Sequence, residues 1–232
     1  MDMAIGVGVS GVSGVCEEAD ECGVLQFMWN SAKGVMPGYG SGEAPACASQ
    51  DELVLAGLPP DFRSLLSNFC PFPDGTDFEL PIEALAEVAP GSLFRTLFGV
   101  PTSSRHFRSV EHAFHYVKLQ VVGVGHAAER FAVESKDHVS VSYGADVKKA
   151  GGPRGVLRMD DDQRRTWDLY RNQVLRVLTL AKFSAKYPMF HNMLAATGSM
   201  RIKHFMRGPV LQEWDWLYPL RRVAQMFYGV MP

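Results

Sequence analysis

The spacing of apolar residues along the chain predicts a mainly helical fold. The strongest periodic segment covers residues 161–185, where apolar side chains recur every three or four positions and would form one buried face. Pro188 can begin a further helix that Gly198 ends, and a last helix is predicted at residues 219–228. Alternation of apolar and polar residues is sparse, so we expect few short strands.

Shorter helices are predicted from the same periodicity and from glycine and proline breaks. They cover residues 24–32, 82–88, 110–122, 126–133 and 142–150. Gly123 and Gly125 should end the helix that begins after Ser109. An extended segment is expected at residues 200–206, and residues 93–100 form an apolar stretch.

Composition divides the chain near residue 52. Residues 1–52 contain nine of the 22 glycines and eight acidic residues against one basic residue, Lys33. We expect a flexible, poorly ordered or loosely packed N-terminal extension there, followed by one compact multi-helix domain over residues 53–232. This domain carries a net charge near +5, which suits an anionic ligand such as a phosphorylated nucleoside; an ordinary solvated surface explains it equally well.

Several classes of protein do not fit the sequence. The four cysteines form no Cys-x-x-Cys pair, which argues against a disulfide scaffold or a zinc ribbon. The N-terminus lacks the pattern of a signal peptide, and no apolar run approaches the roughly 18 to 20 residues of a membrane span. We therefore expect a soluble, intracellular protein of the cytoplasm. The sequence has no long basic stripe with interleaved aromatic residues, so we do not expect sequence-specific binding of duplex DNA.

One predicted helix concentrates reactive side chains on a single face. Residues three, four and seven apart lie over one another on a helix, so Glu111 shares a face with Phe114, His115 and Lys118. Ser109 can act as the N-cap, which puts Glu111 at the positive end of the helix dipole and favours its ionised form. Glu111 could equally be an ordinary acidic residue of a helix start.

The sequence does not favour a metal site. Glu111 and His115 are four residues apart, but no His-x-x-x-His pair exists and the seven histidines are scattered.

A series of short motifs follows the order found in one known family. The motifs are Leu66-Ser67-Asn68-Phe69, Ser109-Val110-Glu111-His112-Ala113-Phe114, Lys118, Trp167, Ala181-Lys182-Phe183, Leu194-Ala195-Ala196-Thr197-Gly198 and His204. In this order the chain resembles the NADAR (NAD- and ADP-ribose-associated) family, which includes the bacterial YbiA-like N-glycosidases. The resemblance covers residues 53–232. Because 43 residues separate Asn68 from Glu111, it also implies an insertion at about residues 76–104, forming a lid or a partner surface.

The resemblance implies a cofactor-free N-glycosyl hydrolase that cleaves a base–ribose bond. Its substrate would be ADP-ribosylated guanine, in a nucleotide or a nucleic acid, or a phosphorylated aminopyrimidine intermediate of riboflavin synthesis. Two alternatives remain: a module that binds ADP-ribose or NAD without turnover, and an interaction protein that uses the fold as a scaffold.

The same resemblance implies roles for particular side chains. Glu111 matches the catalytic glutamate of the YbiA-like enzymes, and Trp167 matches an aromatic residue of their active site. Core packing along the long helix is the alternative for Trp167. The family's second acidic residue is missing, because Leu211 stands at its expected position. We therefore expect Glu213 or Asp215 to replace it through a shifted loop.

Further residues are candidates for binding the substrate: Ser67, Asn68, Phe69, His112, Lys118, Arg158, Lys182 and His204. The amide of Asn68 offers a donor and an acceptor to a nucleoside, whereas Phe69 could simply be buried. Lysine and arginine side chains would contact phosphate or ribose, although solvent exposure is the ordinary alternative for each cation. His112 is expected to support a neighbouring side chain, and His115 could be exposed or buried.

Overall fold

A computed structural model describes residues 24–27, 66–72, 76–88, 105–198, 201–205 and 211–229. Within these residues the protein is mainly helical, as the apolar spacing predicts. The helices are α1 Ile82–Val88, α2 Val110–Val121, α3 Gly125–Ala128, α4 Ala145–Gly151, α5 Asp161–Lys182, α6 Pro188–Ala196 and α7 Tyr218–Tyr228. Single 3-10 turns occur at Glu129–Phe131, Val133–Ser135 and Asp215–Leu217.

Helix α2, which carries Glu111, lies at the centre of the described fold and packs against α3, α4 and α5. Its apolar residues Val110, Ala113 and Val117 are completely buried. The helix ends at Val121, and Gly123 follows with a φ of 80°, a left-handed conformation that glycine adopts without strain. The predicted end of this helix is thus confirmed.

Helix α5 is the longest of the helices that the structure describes, and it begins with a reciprocal cap. The Asp160 carboxylate accepts from the backbone N–H of Gln163 at 2.8 Å, and Gln163 Oε1 accepts from the backbone N–H of Asp160 at 3.1 Å. The side-chain amide of Gln163 also donates to the carbonyl of Val122 at 3.3 Å, which ties the start of α5 to the end of α2.

Most of the other predicted helices are confirmed with shifted ends. Helix α1 has the predicted bounds, and α4, α6 and α7 lie at the predicted places. The helix expected at residues 126–133 is instead divided into α3 and a 3-10 turn. The division follows from the backbone, because Ala132 bonds to Glu129 three residues back and then adopts an extended conformation.

A three-stranded sheet joins the two ends of the described chain. Its strands are β1 Val24–Phe27, β4 Arg201–Phe205 and β5 Leu211–Glu213, with β4 in the middle. Strand β1 runs parallel to β4, pairing Val24 with Arg201 and Phe27 with His204, whereas β5 runs antiparallel. The extended segment predicted at 200–206 is confirmed as β4.

The short helix predicted at residues 24–32 is wrong where the structure describes it. Residues 24–27 form β1, since valine, leucine and phenylalanine suit a strand and β4 supplies the hydrogen-bonding partner. Residues 28–32 lie outside the described residues. Part of the expected N-terminal extension therefore contributes a strand to the sheet.

The expected insertion is described only at residues 76–88. Strand β2, Phe78–Glu79, pairs antiparallel with β3, His106–Phe107, and α1 packs against α5. Phe78 and Leu85 are completely buried, so this part belongs to the core. The apolar stretch at 93–100, and any lid or partner surface formed by 89–104, lie outside the described residues. Among the helices that the structure describes, none has the length and apolar character required to cross a membrane.

Candidate functional site

Glu111 is the second residue of α2, and a neighbouring loop contacts it there. Its backbone N–H donates to the carbonyl of Asn68 at 2.9 Å, which docks the loop of residues 66–70 onto the helix start. Ser109 is the N-cap residue, as predicted, but its hydroxyl makes no capping bond to the helix backbone. The hydroxyl instead lies 2.8 Å from Nδ1 of His112.

His112 supports the helix start from inside the core. The ring is completely buried, with Nε2 3.1 Å from the carbonyl of Val139. Burial lowers the pKa of His112 to about 4, so the ring is neutral near pH 7. A neutral ring that donates through Nε2 to Val139 can accept the Ser109 hydroxyl at Nδ1. These contacts place His112 in a supporting position.

The carboxylate of Glu111 lies against the ring of His115, one turn along α2. Glu111 Oε1 is 3.1 Å from His115 Nε2, and the two side chains are 12% and 7% exposed. Burial lowers the pKa of His115, although the neighbouring Glu111 opposes this shift. The imidazole is therefore neutral near pH 7 and able to donate one hydrogen bond to the carboxylate.

Lys118 extends the same face by a further turn. Its side chain is buried, and Nζ donates to the carbonyl of Gly151 at the end of α4. Burial lowers the pKa of Lys118 to about 8, again opposed by Glu111. Glu111, His115 and Lys118 thus share one face of α2, as the helical spacing predicts.

The buried side chain of Lys182 binds the loop of residues 66–70. This lysine has no exposed surface, and its Nζ donates to the carbonyl of Ser67 at 2.7 Å. The ammonium also lies over the ring of Phe190, 4.5 Å from its centroid. Burial lowers the pKa of Lys182 to about 7. The structure places Lys182 to position the loop, whereas the sequence suggested a contact to phosphate or ribose.

Asn68, whose backbone carbonyl accepts from the Glu111 N–H, has an unsatisfied side-chain oxygen. Its amide nitrogen donates to the Thr179 hydroxyl at 3.4 Å, but the buried Oδ1 has no hydrogen-bond partner among the described residues. Asn68 is only 9% exposed. A buried carbonyl oxygen without a partner is costly, and a ligand that supplies a donor would remove that cost.

The neighbours of Asn68 in the loop have different surroundings. The Ser67 hydroxyl accepts from the backbone N–H of Phe69 at 3.2 Å and so shapes the turn. The ring of Phe69 is partly buried, and Nζ of Lys148 lies 5.9 Å from its centroid. Ser67 therefore acts within the loop, while Phe69 lies beside a cation.

Two cationic or titratable groups from distant segments complete the cluster around Glu111. His204 on β4 interacts electrostatically with Glu111 and Lys148, and burial lowers its pKa to about 4. Lys148 on α4 is exposed and also interacts electrostatically with His115. Lys148 was not among the predicted site residues. One lysine in a short polar helix carries no sequence signal that would have identified it.

Trp167 lies on α5, where that helix packs against α2. It is 6% exposed, and its ring meets the edge of Phe114 with centroids 5.0 Å apart. Phe114 in turn meets His115 with centroids 5.7 Å apart. Trp167 is thus connected to the Glu111 face through Phe114, and its surroundings are those of a core residue.

Glu213 does not take the place predicted for a second site carboxylate. Both of its oxygens are bonded by Arg201, at 3.1 and 2.5 Å, and the Tyr218 hydroxyl donates at 2.8 Å. These hydrogen bonds lower the pKa of Glu213 to about 2. Glu213 pairs with Lys203, and neighbouring residues of a strand point to opposite faces, so it faces away from the side that carries His204.

The two remaining candidates are exposed. Asp215 begins the 3-10 turn after β5, and Arg158 precedes α5. The residue between Glu213 and Asp215, Trp214, is buried and stacks on His204 with centroids 5.0 Å apart. The buried part of the cluster therefore holds one carboxylate, that of Glu111, among the predicted site residues.

Among the described residues, no group of three or more histidine, cysteine, aspartate or glutamate side chains could hold a metal ion.

No protein-family model, curated protein or solved structure matches the chain.

Proposed function

We propose that the protein is an N-glycosyl hydrolase that cleaves a base–ribose bond with Glu111 as the reacting carboxylate. The observation that supports this proposal is that Glu111, with a largely buried carboxylate, is hydrogen-bonded through its backbone to Asn68, whose buried Oδ1 is unsatisfied. Buried polar groups without a full set of partners are concentrated where proteins bind and react with ligands.

Such a site suits the charge changes of glycosidic cleavage. When the C–N bond breaks, its electron pair leaves with the base and positive charge develops at the anomeric carbon. A carboxylate at this carbon stabilises the cation and can take the proton from the attacking water as the new C–O bond forms. Asn68 Oδ1 would accept a hydrogen bond from the base or from a ribose hydroxyl.

The substrate proposed is a phosphorylated nucleoside, either ADP-ribosylated guanine or a phosphoribosylated aminopyrimidine. Lys148 at the exposed edge of the cluster provides a point charge that can attract phosphate. The fold proposed is that of the NADAR family, on the motifs given above. No cofactor enters the proposed reaction.

The test compares wild type with Glu111→Gln, which keeps the shape of the side chain and removes its charge. Both proteins are incubated with ADP-ribosylated guanosine and with the aminopyrimidine phosphate, and free base is measured. We expect the substitution to reduce base release by at least about 100-fold. Glu83→Gln, on an exposed position of α1, is the matched control and should release base as wild type does. Equal release by wild type and Glu111→Gln would rule out the assignment.

A second candidate function is a module that binds ADP-ribose or NAD without turnover. The ion pair of Glu213 with Arg201 favours it, because a second carboxylate is then missing from the buried cluster. Tight binding of ADP-ribose in calorimetry, with no release of base from either substrate, would support this alternative.

A further inference from the structure

His115 lies close to two groups, the Glu111 carboxylate and the backbone at the end of α4. Its Nε2 is 3.1 Å from Glu111 Oε1. A Cβ built on Gly151 would lie over the ring, 2.1 Å from Cγ, 2.2 Å from Nδ1 and 2.3 Å from Cδ2. Only glycine lets the backbone approach the imidazole so closely, so the ring is confined in one orientation.

Lys118 fastens the same backbone segment. Its Nζ donates to the carbonyl of Gly151, so the residue that confines the His115 ring is itself tied to α2. The ring is also flanked by Phe131, with centroids 5.5 Å apart. The orientation of His115 is therefore fixed by the backbone of α4 and by an aromatic neighbour.

The surroundings of the two ring nitrogens of His115 indicate which of them carries the proton. Both ring nitrogens are buried and neither makes a hydrogen bond of normal geometry with the described residues, but Nε2 lies 3.1 Å from Glu111 Oε1. A neutral imidazole carries one N–H, and an N–H at Nε2 has the Glu111 carboxylate oxygen within hydrogen-bond distance.

We propose that His115 is a positioning residue, whose ring the backbone of Gly151 confines so that its Nε2–H can hold Glu111 Oε1 and leave Oε2 for the reacting bond. This inference rests on the proposed function of Glu111. A carboxylate held in one rotamer acts on a bound substrate without first being ordered, and small displacements of reacting groups are costly in rate. Neither His115 nor Gly151 is assigned a role by the motif resemblance.

The first test removes and restores the donor. His115→Leu fills the space without an N–H, and His115→Gln supplies an amide N–H at a similar reach. We expect His115→Leu to reduce kcat by about 10- to 100-fold with little change in KM, the scale of one hydrogen bond to a charged group. His115→Gln should recover most of that loss. A loss of kcat that is equal in both variants, or absent from both, overturns the proposal.

The second test examines the confinement by Gly151. Gly151→Ala places a methyl group where the His115 ring lies, so the ring must move. This variant should reduce kcat as His115→Leu does, again with little change in KM. In a His115→Ala background the ring is gone, so adding Gly151→Ala should reduce kcat no further. If the fold-loss of kcat in the double variant equals the product of the losses in the two single variants, Gly151 acts independently of His115, contrary to the proposal. Thermal unfolding of all variants shows which of them remain folded.

A spectroscopic readout separates this inference from the proposed function. The ¹⁵N shifts of His115 report its tautomer, and the carboxyl ¹³C shift of Glu111 reports the hydrogen bond. We expect an Nε2–H tautomer in wild type and a Glu111 shift that changes in His115→Leu but much less in His115→Gln. If wild type releases no base from any substrate, the proposed function fails, yet these shifts still decide the inference. An Nδ1–H tautomer, or a Glu111 shift unaffected by His115→Leu, would overturn it.

Discussion

At the scale of single residues, His112 couples the stability of the protein to pH. Its complete burial lowers its pKa from 6.5 to about 4. Between these values the unfolded chain binds a proton that the folded protein does not, so stability decreases as pH falls through this range. From the shift we expect His112 to account for a loss of about 2 kcal/mol in the free energy of unfolding between pH 7.5 and pH 5.

Denaturant unfolding at pH 7.5 and pH 5 measures this coupling. His112→Gln should be less stable at pH 7.5 but should lose about 2 kcal/mol less than wild type on acidification. His126→Gln replaces an exposed histidine of α3 and serves as the control, with the pH dependence of wild type. If His112→Gln and wild type lose the same free energy, the coupling assigned to His112 is wrong.

Lys148 gives a second prediction at the residue scale, this time for binding. It is exposed, yet its charge reaches both His115 and His204. Lys148→Ala should raise KM for a phosphorylated substrate several-fold with little change in kcat, because an exposed charge contributes to attraction more than to the reaction. Lys149→Ala removes the neighbouring exposed charge and should change KM less. A similar KM for both variants, measured at low salt, would count against a phosphate contact by Lys148.

At the scale of helices, the cap of α5 stabilises the contact between the two central helices. Asp160→Ala removes the side chain that accepts from the Gln163 backbone and should cost about 1 kcal/mol in the free energy of unfolding. Asp160→Asn keeps an oxygen for this bond and should cost less. Asp168→Ala, whose exposed pair with Arg171 contributes little, is the control. A cost of Asp160→Ala no larger than that of Asp168→Ala would show that the cap contributes little.

The helices could largely be predicted because their signals are local. The apolar spacing along α5, the glycine after α2 and the proline that begins α6 are all read within a few residues. Strand β1 could not be predicted in this way. Residues 24–27 become a strand by pairing with β4, which lies more than 170 residues away, and nothing within the segment indicates that partner.

At the scale of the whole molecule, the candidate site likewise contains residues whose proximity could be predicted from local sequence and residues whose proximity could not. Glu111, His115 and Lys118 share a face through helical spacing alone, so their proximity could be predicted. Lys148 and Gly151 come from another helix, and only tertiary packing brings them close to His115 on that face.

Strand register explains why Glu213 lies away from the site where the sequence predicted a second carboxylate. The sequence places Glu213 two residues from Asp215 and one from a tryptophan, but it does not show which face of the sheet Glu213 takes. Pairing with Lys203, next to His204 in the strand, sets that face, and Arg201 then binds the carboxylate. A one-residue difference in register would have reversed the assignment, which composition alone cannot reveal.

The pairing of β1 with β4 connects the N-terminal part of the chain to the site. Strand β4 carries His204, whose cross-strand partner on β1 is Phe27. The double variant Leu25→Pro/Gln26→Pro removes two successive backbone N–H groups, one of which must face β4 because successive residues alternate. We expect unfolding free energy to fall by about 1 to 3 kcal/mol. Base release should fall as well, because the strand that positions His204 loses its neighbour.

The matched control for this pairing is Leu25→Ala/Gln26→Ala, which truncates the same side chains and keeps both N–H groups. Thermal unfolding and base release are measured on both double variants and on wild type. If the pairing positions His204, the proline variant should lose stability and activity together, and the alanine variant should lose less of each. Equal behaviour of the two double variants would show that side chains rather than backbone pairing matter at β1. A proline variant that loses stability but keeps its base release would show that the Glu111 cluster is assembled without help from β1.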